Sequence, residues 1–456
     1  MVSAGVTARR MFLPLAWTLG ALFALVTPPF QVPDEFAHFY RAYQVSEGQL
    51  AAYRQWDDVG GDLPVSLDTF GSRVWGNRPF DPKLRADIRD IWAARAIPLQ
   101  SDQRQFFGFA TIARHSPMNY VPQAAPMALA RVLSMGPMGM FYGGRMANLL
   151  IWSLLVYFSL RLIPVLDWTV FLLALTPMSL AQAASLSADA TANGVCFLFV
   201  AVAVRCAMTA GAISRTELAG LTLGGAAVAL AKGAYLPLTL LFLLIPAGRF
   251  ANRRHYWLAF AIFVLVALAA FAGWSLCTFS PDSIGNPVPG VSPWQQLLHV
   301  LHHPFLALYM ETRLFWSVPY LSSIIGRLGW NEIKLWYPLT AVYFGVLFYA
   351  TRRGGRPDRQ LTMRQRAILA TAVLGCWAAV FTLLYLLFTP VGATNINALQ
   401  GRYLLPVTLP FFLMCYPAAR PRRHEPGAFY ALFSSGFAVY ALLVLAWRCY
   451  GVPIRP

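Results

Sequence analysis

Two carboxylates stand side by side in Pro33-Asp34-Glu35, and an imidazole and a guanidinium follow at His38 and Arg41. If the segment 34–46 is helical, Asp34, His38 and Arg41 share one face, because residues at i, i+4 and i+7 lie one above another. A carboxylate near an imidazole near a guanidinium suits a general base, a metal site or a phosphate clamp. The competing reading is a helix N-cap, where Asp is favoured and acidic residues suit the first turn. Neighbouring helical residues point about 100° apart, so only one of Asp34 and Glu35 can face a given cavity.

Further groups of the same kind are scattered along the chain. Asp189, in Ser185-Leu186-Ser187-Ala188-Asp189, is the only acidic residue in the apolar stretch 168–210. An ionisable group at such depth is costly and points to function, although a helix cap would also account for it. Lys232 is one of three lysines, with Lys83 and Lys334; at the end of an apolar block it could hold a lipid phosphate or snorkel to the interface. Arg402, in Gln400-Gly401-Arg402-Tyr403, could grip a phosphate through two N–H groups or simply anchor a helix at the interface. Arg114-His115-Ser116-Pro117 reads as a turn or as part of a site lining. His299, His302 and His303 have a spacing that can hold a metal, but Glu311 is two turns further on and no carboxylate completes the set. A divalent metal is compatible with the acidic residues, yet no ligand set indicates one. HExxH, P-loop and GxSxG patterns are missing from the sequence.

The elements that must position these residues are membrane helices. Of 456 residues, 57% are hydrophobic and 12% charged, against roughly 25% charged in a soluble domain. Apolar blocks at 11–27, 144–163, 168–185, 189–210, 217–232, 234–247, 257–279, 335–351, 366–389, 402–418 and 428–449 predict about eleven spans of an all-α, polytopic transmembrane bundle. The pair 217–232 and 234–247 is short enough to form a broken hairpin. The block 11–27 follows Arg9-Arg10 like a signal peptide, but it ends in Thr27-Pro28-Pro29-Phe30 and so reads as a retained helix.

Charge sets the orientation. The net charge of +17 does not indicate nucleic acid, because the excess lies in short loops: Arg9-Arg10, Arg249/Arg253/Arg254, Arg352/Arg353/Arg356/Arg359 and Arg420/Arg422/Arg423. Such loops mark the cytoplasmic side. The N-terminus is therefore expected in the cytoplasm and the C-terminus outside, in a bacterial inner membrane. Two long regions fall outside, 28–143 and 280–334. The first holds 11 of the 19 acidic residues and 11 basic ones; a charged helix is expected at Pro82 to Ala96. The second contains Pro293 to Trp316, amphipathic and expected to lie along the surface. The block 121–135 is read as interfacial or re-entrant, since a crossing there would put the later arginine loops outside. The six cysteines fall in or beside apolar blocks without a CxxC pair and read as small buried residues.

Three motifs give the chain a resemblance. Thr27-Pro-Pro-Phe-Gln-Val-Pro-Asp-Glu-Phe-Ala-His38 with Tyr40-Arg-Ala-Tyr43, Ser187-Ala-Asp189, and Gln400-Gly-Arg-Tyr-Leu-Leu-Pro406 resemble a bacterial family, domain of unknown function 2142. That family looks related to the GT-C superfamily of lipid-linked-sugar glycosyltransferases, and the likeness covers nearly the whole chain. It implies a single GT-C-like transmembrane domain over 1–456 that moves a sugar from a polyprenyl-phosphate donor to an envelope glycan or lipid acceptor. It implies a catalytic aspartate just after the first span, the position of Asp34, and a second acidic residue in the next outer loop, the position of Asp189, with Glu35 beside the first. Lys232 and Arg402 are the candidates for the lipid phosphate, and His38, Arg41, His115 and Tyr403 for the rest of the binding surface. A transporter or flippase, or a non-catalytic polymer-export protein, would use similar groups. The large soluble C-terminal domain of some GT-C enzymes has no counterpart in this sequence, which argues against oligosaccharide transfer to protein.

Overall fold

A computed structural model describes residues 7–75, 81, 83–278, 289–305, 309–310, 317–356, 358–417 and 426–451. Arg420, Arg422, Arg423 and Glu311, with Pro82 and most of 303–316, lie outside or at the margin of that set. The chain is a helical bundle, as its apolar blocks require. Six helices among the described residues are long and apolar enough to cross a membrane: Ala8–Val26, Pro137–Leu162, Ala188–Met208, Arg253–Thr278, Met363–Phe388 and Gly427–Tyr450.

Of the other expected spans, 217–232 and 335–351 are the 17-residue helices Arg215–Ala231 and Tyr337–Arg353, and three are interrupted or altered for local reasons. The block 168–185 is two helices, Asp167–Ala174 and Pro177–Ala183. Pro177 forbids a continuous helix, and the Thr176 side chain accepts from Ser179 N to start the second. The block 234–247 is a 3-10 helix, Gly233–Leu244, carrying Pro237. The 3-10 form rises about 2.0 Å per residue, so twelve residues reach about 24 Å where an α-helix would reach about 18 Å. The block 402–418 opens as a 3-10 turn, Gly401–Leu404, and continues as Leu405–Met414. The helix Val121–Val132 has 12 residues, about 18 Å, which is too short to cross.

Ala188–Met208 is the central helix, with 72% of its apolar window buried, and Arg253–Thr278 is peripheral, with 11%. Ala188–Met208 packs on Pro137–Leu162 and Arg215–Ala231; Ala8–Val26 packs on Pro137–Leu162 and Gly427–Tyr450; Gly233–Leu244 packs on Met363–Phe388. The ends of these segments sort into two sets. Arg9 Nε donates to Leu160 O, Ile213 N to Arg249 O, and Arg366 to Met414 O and Tyr416 O, all at one end. Asp34, Asp189, Lys232 and Arg402 gather at the other end.

The region 28–143 has a core of its own. Phe30 stacks on Phe36 and meets Phe39, Phe70 and Phe141 tilted or edge-on around the helix Glu35–Ser46. A three-stranded antiparallel sheet, β1 (Tyr53–Gln55), β2 (Asp58–Pro64) and β3 (Arg104–Gly108), lies on it. The all-α expectation omitted this sheet. Its central strand, Asp58-Val-Gly-Gly-Asp-Leu-Pro64, has low strand propensity and is admitted by Gly60, where a side chain would strike the Phe107 carbonyl of β3. The helix expected at 82–96 is limited to Ile88–Ala93 with a 3-10 turn at Ala94–Ala96, because Asp87 caps it by accepting from Arg89 N at 2.7 Å. In the region 280–334, Pro293–His302 and Val318–Gly326 are helical, followed by a hairpin, β4 (Arg327–Leu328) and β5 (Ile333–Lys334).

Candidate functional site

The segment after the first span is held by one fully buried ion pair. Arg145, on the helix Pro137–Leu162, grips Glu35 with two bonds, Nε to Oε1 at 2.9 Å and Nη2 to Oε2 at 2.7 Å. Both side chains are completely shielded from solvent. The same guanidinium donates to the carbonyls of Ala24, Thr27 and Pro28, which end the first helix. Glu35 also accepts from Phe30 N and from Leu186 N. One turn along, Asn148 donates to Ser185 O and Ser187 O. Arg145, Glu35 and Asn148 thus set the Pro-Asp-Glu turn and the Ser187-Ala-Asp189 turn against each other. Glu35 lies outside the cavity. Arg145 went unread in the sequence; the available signal was a lone arginine at the head of an apolar helix.

With Glu35 fixed, Asp34 is turned the other way. It precedes the helix Glu35–Ser46 in the left-handed conformation, φ 62°, and its carboxylate makes no cap bond. Asp tolerates this conformation better than most residues. The carboxylate instead accepts from Arg402 Nη2 at 3.1 Å. Asp189 is likewise free of a capping task, because Ser187 caps its helix by accepting from Asp189 N. Its carboxylate receives Lys232 Nζ at 2.5 Å and has Arg402 Nε at 3.4 Å, a contact without hydrogen-bond alignment. The structure therefore decides against the cap reading for both aspartates.

Lys232 stands at the extended break between Arg215–Ala231 and Gly233–Leu244, 4.7 Å from the centre of the Tyr403 ring. This contact, with the bond to Asp189, replaces the snorkelled arrangement. Arg402 is 3% exposed and also lies against Tyr403. Gly401 is required before it: a side chain there would collide with the backbone of Ser323 and Ile324. Arg402 Nη1 and Nε have no hydrogen-bond acceptor among the described residues.

These groups line a cavity of about 500 Å³ together with His38, His115, Arg114, Trp330, Gln400 and Tyr235. One wall is apolar, formed by Val380, Leu383, Leu384, Leu387 and Phe388 at the end of the helix Met363–Phe388. His38 Nδ1 and His115 Nδ1 meet the Tyr120 hydroxyl at 2.8 and 3.4 Å. Burial, and secondarily His115, pushes the His38 imidazole well below its usual range; burial, then Lys232, takes His115 down to about 3. Both rings are neutral near pH 7. Tyr120 binds them from behind and was not singled out in the sequence. Trp330 is oriented by donating Nε1–H to Phe30 O at 3.1 Å.

Arg41 does not reach the cavity. It is fully buried and donates to Gln44 Oε1 and Leu50 O, closing the loop that follows its helix. At the other candidate metal position, the rings of His299 and His303 lie 4.7 Å apart and tilted by 50°, while His302 donates to Leu298 O. Among the described residues no group of three or more His, Cys, Asp or Glu is placed to hold a metal.

The family model described as "Predicted membrane protein (DUF2142)" matches residues 17–410. The chain belongs to this family. No curated protein matches it. A crystal structure of ArnT from Cupriavidus metallidurans bound to undecaprenyl phosphate is similar at 13% identity and a TM-score of 0.46, over 96% of this chain and 77% of that one.

Proposed function

We propose that this member of the DUF2142 family is a membrane glycosyltransferase that moves a sugar from a polyprenyl phosphate to a hydroxyl acceptor, a glycan or lipid of the envelope. The observation that carries this reading is Asp34: a carboxylate released from helix capping and presented to Arg402 in a cavity that also holds Lys232 and an apolar wall. The cations suit a phosphate, and the apolar wall suits a hydrocarbon chain. The three motifs resemble a family that looks related to GT-C enzymes, which supports the same assignment.

In this mechanism Asp34 accepts the proton of the acceptor hydroxyl as its oxygen bonds to the anomeric carbon. The bond between that carbon and the phosphate oxygen breaks, and the lipid phosphate leaves with one more negative charge. Arg402 and Lys232 offset that charge. His38 and His115, both neutral, are suited to hydrogen-bond sugar hydroxyls. The cavity is assigned to the extracytoplasmic side of the inner membrane, since Arg9, Arg249 and Arg366 lie at the opposite end of the bundle. No nucleotide is needed there, because the activated bond is carried by the lipid.

The test is sugar transfer by purified protein in vesicles supplied with a radiolabelled polyprenyl-phosphate sugar and extracted envelope acceptors. Label moving from lipid to acceptor is expected. Movement of intact lipid-linked sugar between leaflets with no bond broken would overturn the assignment in favour of a flippase.

A further inference from the structure

The charged groups on which the proposed chemistry rests neutralise one another. Lys232 is bonded to Asp189, and Arg402 lies between Asp189 and Asp34. Two cations face two carboxylates, and this quartet has no net charge to offer an incoming anion.

The cavity has one further cation. Arg114 lines it beside Thr111 and His115. Its backbone is fixed, because Trp274 Nε1 donates to Arg114 O at 2.8 Å. Among the described residues no carboxylate pairs with its guanidinium. Burial alone acts on it, lowering its proton affinity. A half-buried guanidinium without an anion is costly, and the cost is recovered when an anion arrives. With His38 and His115 neutral, the lining carries three cations and two carboxylates, a surplus of one positive charge. A phosphodiester, the group that joins a sugar to a polyprenyl chain, carries one negative charge and would balance it.

We propose that Arg114 captures the phosphate of the lipid ligand, with Lys232 and Arg402 engaged by the carboxylates until that ligand is in place. This rests on the assigned donor chemistry and changes which residue makes the first contact. It also explains why an arginine follows the short helix Ala110–Ala113 at the cavity rim: the guanidinium fork matches a phosphate through two N–H groups.

The experiment is equilibrium binding of polyprenyl phosphate and, separately, of inorganic phosphate to the purified full-length protein, compared with Arg114→Gln and Arg114→Lys. Thermal unfolding of each variant is followed in parallel. Arg114→Gln should bind polyprenyl phosphate about tenfold or more weakly, the usual effect of losing a charged hydrogen-bond pair. Arg114→Lys should fall between the two. Equal binding by wild type and Arg114→Gln would overturn the assignment of Arg114 while leaving the donor class standing. Inorganic phosphate bound as tightly as the lipid, and weakened by the same variants, would support the anion site and overturn the lipid. If wild type binds neither, both the site and the donor class fall. Should Arg114→Gln unfold, Arg114→Lys with unchanged melting and weaker binding would still support the fork, and unchanged binding would count against it.

Discussion

Asp34→Asn separates chemistry from architecture at this site. The asparagine keeps the side-chain shape and is among the residues that tolerate the left-handed backbone found at position 34. No cap is lost, because Asp34 makes none. What changes is the charge that faces Arg402 at 3.1 Å. The Asp34 side chain is about one-third exposed, so losing this pair should cost about 1 kcal/mol or less after solvent screening. Melting in detergent should therefore move little. The amide cannot take a proton, so sugar transfer should fall at least about a hundredfold, the usual contribution of a general base. A second readout has the opposite sign. Removing the carboxylate leaves Arg402 less engaged, so the variant should bind polyprenyl phosphate at least as tightly as wild type. The assay is transfer in vesicles, with binding and melting measured on the same preparations. Normal transfer by Asp34→Asn would refute its role as the base. Lost transfer together with lost lipid binding would refute the claim that Asp34 competes with the phosphate for Arg402.

Glu35→Gln should instead unfold the protein, because a fully buried pair broken on one side costs about 3–5 kcal/mol; a melting temperature within a degree of wild type would show that the clamp with Arg145 is not structural. The buried histidines make stability depend on pH. The folded state holds His115 at about 3 and His38 well below 6.5, so the unfolded chain binds more protons in mildly acidic solution. Stability from these groups is complete above about pH 6.5 and declines as the pH falls toward 3. His38→Gln combined with His115→Gln should flatten the decline of melting temperature between pH 7 and 5, and an unaltered slope would exclude both rings as its source. Topology is testable with thiol labelling of intact cells: Cys277, exposed at the end of Arg253–Thr278, should react with an impermeant reagent. A cysteine replacing Gly355 should not, and labelling there would invert the assigned orientation.

Composition and pattern alone were enough to specify a many-helix membrane protein and to name the charged groups and histidines that line one cavity. Apolar block length and arginine placement carry that information locally, because a helix in lipid must satisfy its own backbone wherever its neighbours stand. Motif residues near block ends were legible for the same reason: Asp34, Asp189, Lys232 and Arg402 are charges where charge is expensive. Their partners were not legible. Spacing put Arg41 on a face with Asp34 and His38, yet the left-handed turn at Asp34 moves its carboxylate off that register toward a residue 368 positions away. Adjacency could not say which of Asp34 and Glu35 faces inward; Arg145, on another helix, decided it by capturing Glu35. Capping rules allowed Asp189 as a cap, and only the position of Ser187 beside Asn148 assigned that task elsewhere. The sheet of the 28–143 region was hidden because its strands are selected by Gly60 packing against Phe107, a contact between segments more than forty residues apart, and not by any local preference for extended chain.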